Sequence, residues 1–225
     1  MEKGYSQNKI ATLNNGLKVQ RRGYGTWQET EKLDSLVYEA IKVGYRHIDT
    51  AADYGNEQLV GKGVHQAINE GVVKREDLFI TTKVISGKDD VAKSLNKSLQ
   101  DLNLDYVDLF LIHWPVPLID KNTNTLKQPP LHVTWKQMED LVKSGKTKAI
   151  GVSNFNVQIL VDLMSYAEIK PVCNQVEIHP YLIQEDLISF CKRNGIEIVA
   201  YCPLGGNVPG KPRKLHSLFV DLIIS

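Results

Sequence analysis

Residues 44–61 read GYRHIDTAADYGNEQLVG, and this stretch decides the fold. Arg46–Thr50 is a short strand with the apolar Ile48 between polar neighbours. Small residues, Ala51–Ala52–Asp53–Tyr54–Gly55, then turn the chain into a helix starting near Asn56–Glu57. Asp49 and Tyr54 therefore stand at the end of a strand and in the loop just beyond it. In a parallel α/β barrel that end carries the chemistry.

Outward from it the chain alternates strand and helix. Leu33, Leu36, Val37, Ala40 and Ile41 recur at helical spacing before it, and Leu59, Val60, Val64, Ala67 and Ile68 after it. Barrel-type strands are expected near residues 23–27, 46–50, 78–83, 106–113, 148–153, 172–176 and 196–201. Tyr106–His113 is an almost continuous apolar run, as in a strand buried on both faces. Helices are expected around Val91–Leu102, Trp135–Val142, Phe155–Leu163 and Glu185–Arg193. A polar loop with Pro115, Pro117, Pro129 and Pro130 separates the fourth strand from the next helix. Asn14–Asn15–Gly16 signals a primed turn closing an N-terminal hairpin over Leu13–Val19. Strands alternating with helices make parallel βαβ units. The expected fold is a (β/α)8 TIM-type barrel with an N-terminal β-hairpin, one domain over 1–225, incomplete at the C-terminus with about seven barrel strands.

Composition agrees with a globular protein. Of 225 residues 42% are apolar and 24% charged, and the net charge is +1. So small a charge gives no general attraction to nucleic acid or an anionic membrane, and neither is expected as a partner. The N-terminus has no apolar core of signal-peptide length and no segment approaches a membrane span, so a cytoplasmic location is expected. Cys173, Cys191 and Cys202 have unrelated spacings and read as reduced thiols.

The residues closing the strands are Trp27, Asp49 with Tyr54 beyond it, Lys83, His113 with Trp114, Ser153–Asn154, Gln175 and Tyr201. Each alone reads as capping or solvation; the coincidence is stronger than its members. A phenol is a poor acid at neutral pH unless a neighbouring cation favours the phenolate. Lys83 is such a cation, and Asp49 would keep it charged and oriented. His113 can add a directional hydrogen bond to a substrate oxygen. This set suits protonation of an oxygen on which negative charge is building. Carbonyl reduction needs that, plus a hydride that no side chain supplies, hence a nicotinamide cofactor. Asn154 and Gln175 could grip its carboxamide, and Tyr201 could stack on its ring.

The motifs GYRHIDTAADYGNE, FITTKV, DLFLIHWP, KAIGVSNF, NQVEIHP and YCPLG resemble those of the aldo-keto reductases, in family order from about Leu13 to Leu204. The resemblance implies a (β/α)8 barrel that reduces small aldehydes or ketones with NADP(H). Tyr54 would be the proton donor, its pKa lowered by Lys83 and Asp49, with His113 orienting the carbonyl. Ser153, Asn154 and Gln175 would hold the carboxamide and Tyr201 the ring. Gly25, Thr26, Trp27 and Trp114 would line the cleft. Cys202, where the family often has serine, and Leu204 would complete the cofactor site. No metal is implied.

Besides Cys202, two places depart from that pattern. Val19–Gln20–Arg21–Arg22 replaces an apolar run, and the two arginines are expected at the solvated bottom of the barrel. After Gly205 the tail GNVPGKPRKLHSLFVDLIIS matches neither the family's eighth strand nor its phosphate-binding segment. Residues 205–225 are thus expected to be a divergent tail. A monomer is expected, with association if the barrel is open. Two rival readings stand beside the reductase. One is a metal-dependent hydrolase using His47, Asp49, His113 and His179, which Lys83 would oppose. The other is a catalytically silent relative that acts as a binding or regulatory module.

Overall fold

The fold is that of a computed structural model describing residues 9–28, 31–84, 90–116, 118–120, 125–127 and 129–205. The tail 206–225, with Lys211, Arg213, Lys214, His216 and the apolar run 219–224, lies outside the described residues.

The chain opens with the antiparallel hairpin β1 (Ile10–Thr12) and β2 (Lys18–Gln20). Its turn differs from the expected one. A primed turn needs φ above zero at both central residues, yet among Leu13–Gly16 only Gly16 has it, at 85°. Gly16 N donates to Leu13 O at 2.9 Å and Leu13 N to Leu17 O at 2.8 Å. This is a three-residue loop ending in a left-handed glycine. The asparagines serve a different purpose. Asn14 Nδ2 donates to Pro171 O (2.9 Å) and Gly195 O (3.1 Å), and Asn15 Nδ2 to Lys148 O (3.5 Å). The hairpin is thereby tied to the segments that lead into three barrel strands.

Seven parallel strands follow: β3 (Gly23–Gly25), β4 (His47–Asp49), β5 (Phe79–Val84), β6 (Leu109–Ile112), β9 (Ile150–Ser153), β10 (Cys173–Glu177) and β11 (Glu197–Tyr201). They pair in sequence order and curve into a nearly closed barrel. β3 and β11 are its two ends and do not pair with each other among the described residues. At that opening Arg21 lies 3.8 Å from Glu197; Arg21 is half-buried rather than fully solvated, whereas Arg22 is exposed. Within the proline-rich segment read as a loop, two short strands form a hairpin, β7 (Leu118–Asp120) and β8 (Thr125–Lys127).

The helices α1 (Leu33–Lys42), α2 (Glu57–Asn69), α3 (Val91–Leu102), α4 (Leu131–Lys143), α5 (Val157–Tyr166) and α6 (Glu185–Arg193) lie outside the strands. Side-chain caps start two of them: Asp90 accepts from Lys93 N at 2.7 Å and Asn156 from Ile159 N at 2.9 Å. Apolar residues at helical spacing, such as Leu33, Val37, Ala40 and Ile41, are buried against the sheet. Trp135, Met138 and Phe155 belong to this outer core. His65 bonds Asn103 O at 2.7 Å, joining α2 to the end of α3. A second core fills the barrel: Phe79, Leu109, Leu111, Ala149 and Cys173, plugged by Ala11, Leu13 and Val19 of the hairpin region. The plugged bottom leaves the opposite, C-terminal rim for a site.

Candidate active site

Strand alternation puts Asp49 and Lys83 at neighbouring strand ends, and a single 3-10 turn, Ala52–Tyr54, returns the phenol over them. Gly55 ends that turn in the left-handed region, φ 66°. Lys83 is completely buried. Its ammonium forms an ion pair with Asp49 and donates to Thr50 O at 2.9 Å and to Tyr54 Oη at 3.3 Å. Gln175 Nε2 binds the other oxygen of Asp49 at 2.7 Å. Burial alone would pull Lys83 down, but Asp49 and Tyr54 outweigh it and hold the ammonium above its usual range.

Tyr54 is a correction to the sequence reading. Burial pushes the phenol up, and the opposing pull of Lys83 does not reverse it. The hydroxyl keeps its proton at neutral pH, with the Lys83 ammonium 3.3 Å away.

His113 closes this side of the rim. Its ring meets Tyr54 edge-on at 5.6 Å and stacks on Trp114 at 6.3 Å. Its Nδ1 lies 3.4 Å from Asp53 Oδ2. Across the mouth, Ser153 Oγ donates to Gln175 O at 2.8 Å. Asn154 takes a left-handed backbone, φ 64°. Its Nδ2 donates to His113 O at 2.9 Å, and its Oδ1 accepts from Tyr201 Oη at 2.8 Å. Burial pushes the Tyr201 hydroxyl up to about 12. Cys202, half-buried with φ 48°, and Leu204 follow.

Thr26 is buried, and both its N–H and hydroxyl reach Asp49 O, at 3.0 and 3.1 Å. Gly25 is exposed, with open space where a side chain would stand. Trp27 and Trp114 are 51% and 43% exposed at the rim. Hydrogen bonds, ion pairs and ring contacts thus link Asp49, Tyr54, Lys83, His113, Trp114, Ser153, Asn154, Gln175 and Tyr201, while Trp27 stands two residues beyond the end of β3. The metal cluster does not assemble: His47 bonds Thr81 Oγ1 at 3.1 Å and His179 bonds Glu177 at 3.2 Å. Among the described residues no three His, Cys, Asp or Glu side chains converge.

Sequence reasoning gave no role to Asp53 or Asn56. Asn56 Nδ2 donates to Thr26 O at 2.8 Å while Oδ1 accepts from Thr50 Oγ1 at 3.4 Å, fixing two strand ends to the start of α2. Glu57 is buried and accepts from Thr82 Oγ1 at 2.6 Å. Their one signal was a polar pair at the start of an amphipathic helix.

A profile described as "Aldo/keto reductase family" matches residues 15–215. Aldo-keto reductase family 4 member C11 of Arabidopsis thaliana is 48% identical over 221 residues, covering 94% of this chain and 70% of that protein. The NAD(P)H-dependent D-xylose reductase of Scheffersomyces stipitis is 46% identical over 212 residues, 86% of this chain and 67% of its own length. A Bombyx mori aldo-keto reductase crystallised with NADP superposes with a TM-score of 0.83 at 40% identity, over 90% of this chain and 69% of that one. The chain thus spans about two thirds of the length of the relatives it matches. By the profile match and by these identities, the chain belongs to the aldo/keto reductase family.

Proposed function

We propose that this protein reduces a small aldehyde or ketone to an alcohol using NADP(H), with Tyr54 as the general acid. The observation that carries the reading is the buried Lys83 ammonium, paired with Asp49 and 3.3 Å from the Tyr54 hydroxyl. The phenol holds its proton until a carbonyl oxygen gains charge. Oη then donates, and the phenolate left behind faces a fixed cation in a water-poor site. Asp49 keeps that cation in place and Gln175 orients Asp49. His113 directs the carbonyl oxygen toward Oη.

The rim fits a nicotinamide cofactor on its donor set. Ser153, Asn154 and Gln175 cluster beside Asp49, Tyr201 offers a half-exposed ring, and Gly25, paired in register with Asp49, faces open space. Bound there, the reduced nicotinamide supplies the hydride. Ser153, Asn154 and Gln175 would hold its carboxamide, Tyr201 its ring, and Thr26, Cys202 and Leu204 the neighbouring wall. Trp27 and Trp114 would shield the substrate. Relatives named NAD(P)H- and NADPH-dependent D-xylose reductases support the cofactor and the carbonyl chemistry.

Titrating the 225-residue chain with NADPH while following protein and cofactor fluorescence, then adding a simple aromatic aldehyde, tests the reading. Quenching followed by loss of NADPH absorbance is expected. Quenching without turnover would favour a silent binding module, and neither signal would exclude the reductase reading for this chain.

A further inference from the structure

Tyr54 and Lys83 are held very differently. Lys83 stands on β5, which is hydrogen-bonded on both edges, to β4 and to β6. Its ammonium is fixed by Asp49 and by Thr50 O at 2.9 Å. Tyr54 stands on a single 3-10 turn, and among the described residues its hydroxyl has one hydrogen bond, the 3.3 Å contact with Lys83. The separation of phenol and cation is therefore set by whatever fixes the turn. Asn56 braces it through Thr26 O and Thr50 Oγ1. A second link comes from outside the barrel. Strand alternation points Lys83 inward and its neighbour Thr82 outward, toward α2. There Thr82 Oγ1 donates to Glu57 Oε1 at 2.6 Å, and both residues are buried. A hydroxyl donating to an ionised carboxylate has about this length, roughly 2.5–2.7 Å. Parting such a buried pair is costly, because each group is left without its partner. Glu57 is the first residue of α2, three places after Tyr54. Covalent chain and hydrogen bonds thus close a ring through Tyr54, Gly55, Asn56, Glu57, Thr82 and Lys83.

We propose that Glu57 and Thr82 are positioning residues, whose buried hydrogen bond on the outer face of the sheet sets the distance between the Tyr54 hydroxyl and the Lys83 ammonium. The kinetic consequence rests on the reductase reading; the distance does not. Both residues act through Tyr54 rather than on a substrate, since Thr82 points away from the barrel interior and Glu57 belongs to the helix layer. Breaking the bond leaves Lys83 where Asp49 and Thr50 hold it and frees the start of α2, so the phenol is the partner that moves. Proton delivery is sensitive to such a shift: a misplacement of about 1 Å can cost about 10²-fold in rate. The bond needs an acceptor at position 57 and a donor at position 82, not a negative charge. Glu57→Gln and Thr82→Ser keep it. Thr82→Val, of nearly the same shape, and Glu57→Leu remove it.

The Tyr54 ring provides the readout, because the Lys83 ammonium lies 5.1 Å from its centre. In protein carrying ¹³C at the lysine ε-methylene, Lys83 is identified by the signal lost in Lys83→Arg. Tyr54→Leu gives its proton shift in the absence of the ring. The wild-type signal should be displaced from that reference by the ring current. Thr82→Val and Glu57→Leu should bring it back toward the reference, while Thr82→Ser and Glu57→Gln stay at the wild-type shift. No turnover is involved, so failure of the reductase reading leaves this result standing. A wild-type signal at the reference, or a folded Thr82→Val or Glu57→Leu protein at the wild-type shift, overturns the proposal. If neither of those variants folds, Glu57→Gln decides: a signal displaced toward the reference, with only the charge lost, overturns it as well. Where turnover is measurable, Thr82→Val should lose up to about 10²-fold in kcat and kcat/KM alike, with NADPH quenching unchanged. Thr82→Ser should restore the rate. An unchanged kcat in folded Thr82→Val, or a matching loss of NADPH binding, counts against the proposal.

Discussion

At the scale of single residues, the rim is organised by one completely buried charge, Lys83, paired with Asp49. Removing Lys83 would leave Asp49 with its buried charge uncompensated; breaking such a pair costs about 3–5 kcal/mol. Lys83→Met should lower stability by roughly that amount in urea titration and lose carbonyl reduction as well. The pH dependence of stability follows from the shifted groups. Lys83 and Tyr54 both titrate higher in the folded chain than unfolded. Their contribution is complete below about pH 10 and is lost as pH rises through the folded-state values. His47 shifts the other way, held down by burial beneath Asp49. Its contribution is present above about pH 6.5 and is lost as pH falls, because the unfolded chain takes up a proton that the folded chain resists. Urea midpoints across pH should show both limbs, and His47→Gln should reduce the acid one without changing the alkaline one. Most of these residues were legible because each closes a recognisable strand. The direction of the Tyr54 shift was not, since sequence shows the cation beside the phenol but not the burial that outweighs it.

Among the elements, packing is set by features that sequence reveals unevenly. Gly61 lies in the middle of α2, where glycine is a poor helix former. A Cβ there would stand 2.5 Å from Leu102 O at the end of α3, so the residue permits close approach of the two helices. Gly61→Ala should destabilise by about 1–3 kcal/mol by overpacking despite its better helix propensity; a more stable variant in thermal melts would refute that contact. Asp108, just before β6, accepts from Ile80 N (2.9 Å), Arg75 (2.8 Å) and Lys148 (2.9 Å), while both cations lie over the Tyr106 ring. Asp108→Ala strands a buried N–H and two cations and should lose about 3 kcal/mol in urea titration. The alternation of strand and helix was readable from apolar spacing. The hairpin of β7 and β8 was hidden by its three-residue strands among prolines. The N-terminal turn was recognised, but its asparagines were assigned to φ rather than to the long-range hydrogen bonds they make.

For the molecule as a whole, one end of the barrel is plugged and the other gathers the reactive groups. Seven strands in sequence order were legible, because parallel βαβ units leave few alternative topologies. What periodicity could not show is how the hairpin reaches across the opening between β3 and β11, where Arg21 meets Glu197. No helix among the described residues is long and apolar enough to cross a membrane. The claim on which the rest depends is that a protonated phenol beside a buried cation delivers the proton to a carbonyl oxygen. The direct measurement compares NADPH oxidation by the 225-residue chain and its Tyr54→Phe variant, with a simple aromatic aldehyde as substrate. A general acid contributes roughly 10²–10⁴ in rate. The variant should lose about that much while its fold and its NADPH quenching persist. A folded Tyr54→Phe protein that turns over as fast as the parent would contradict the assignment.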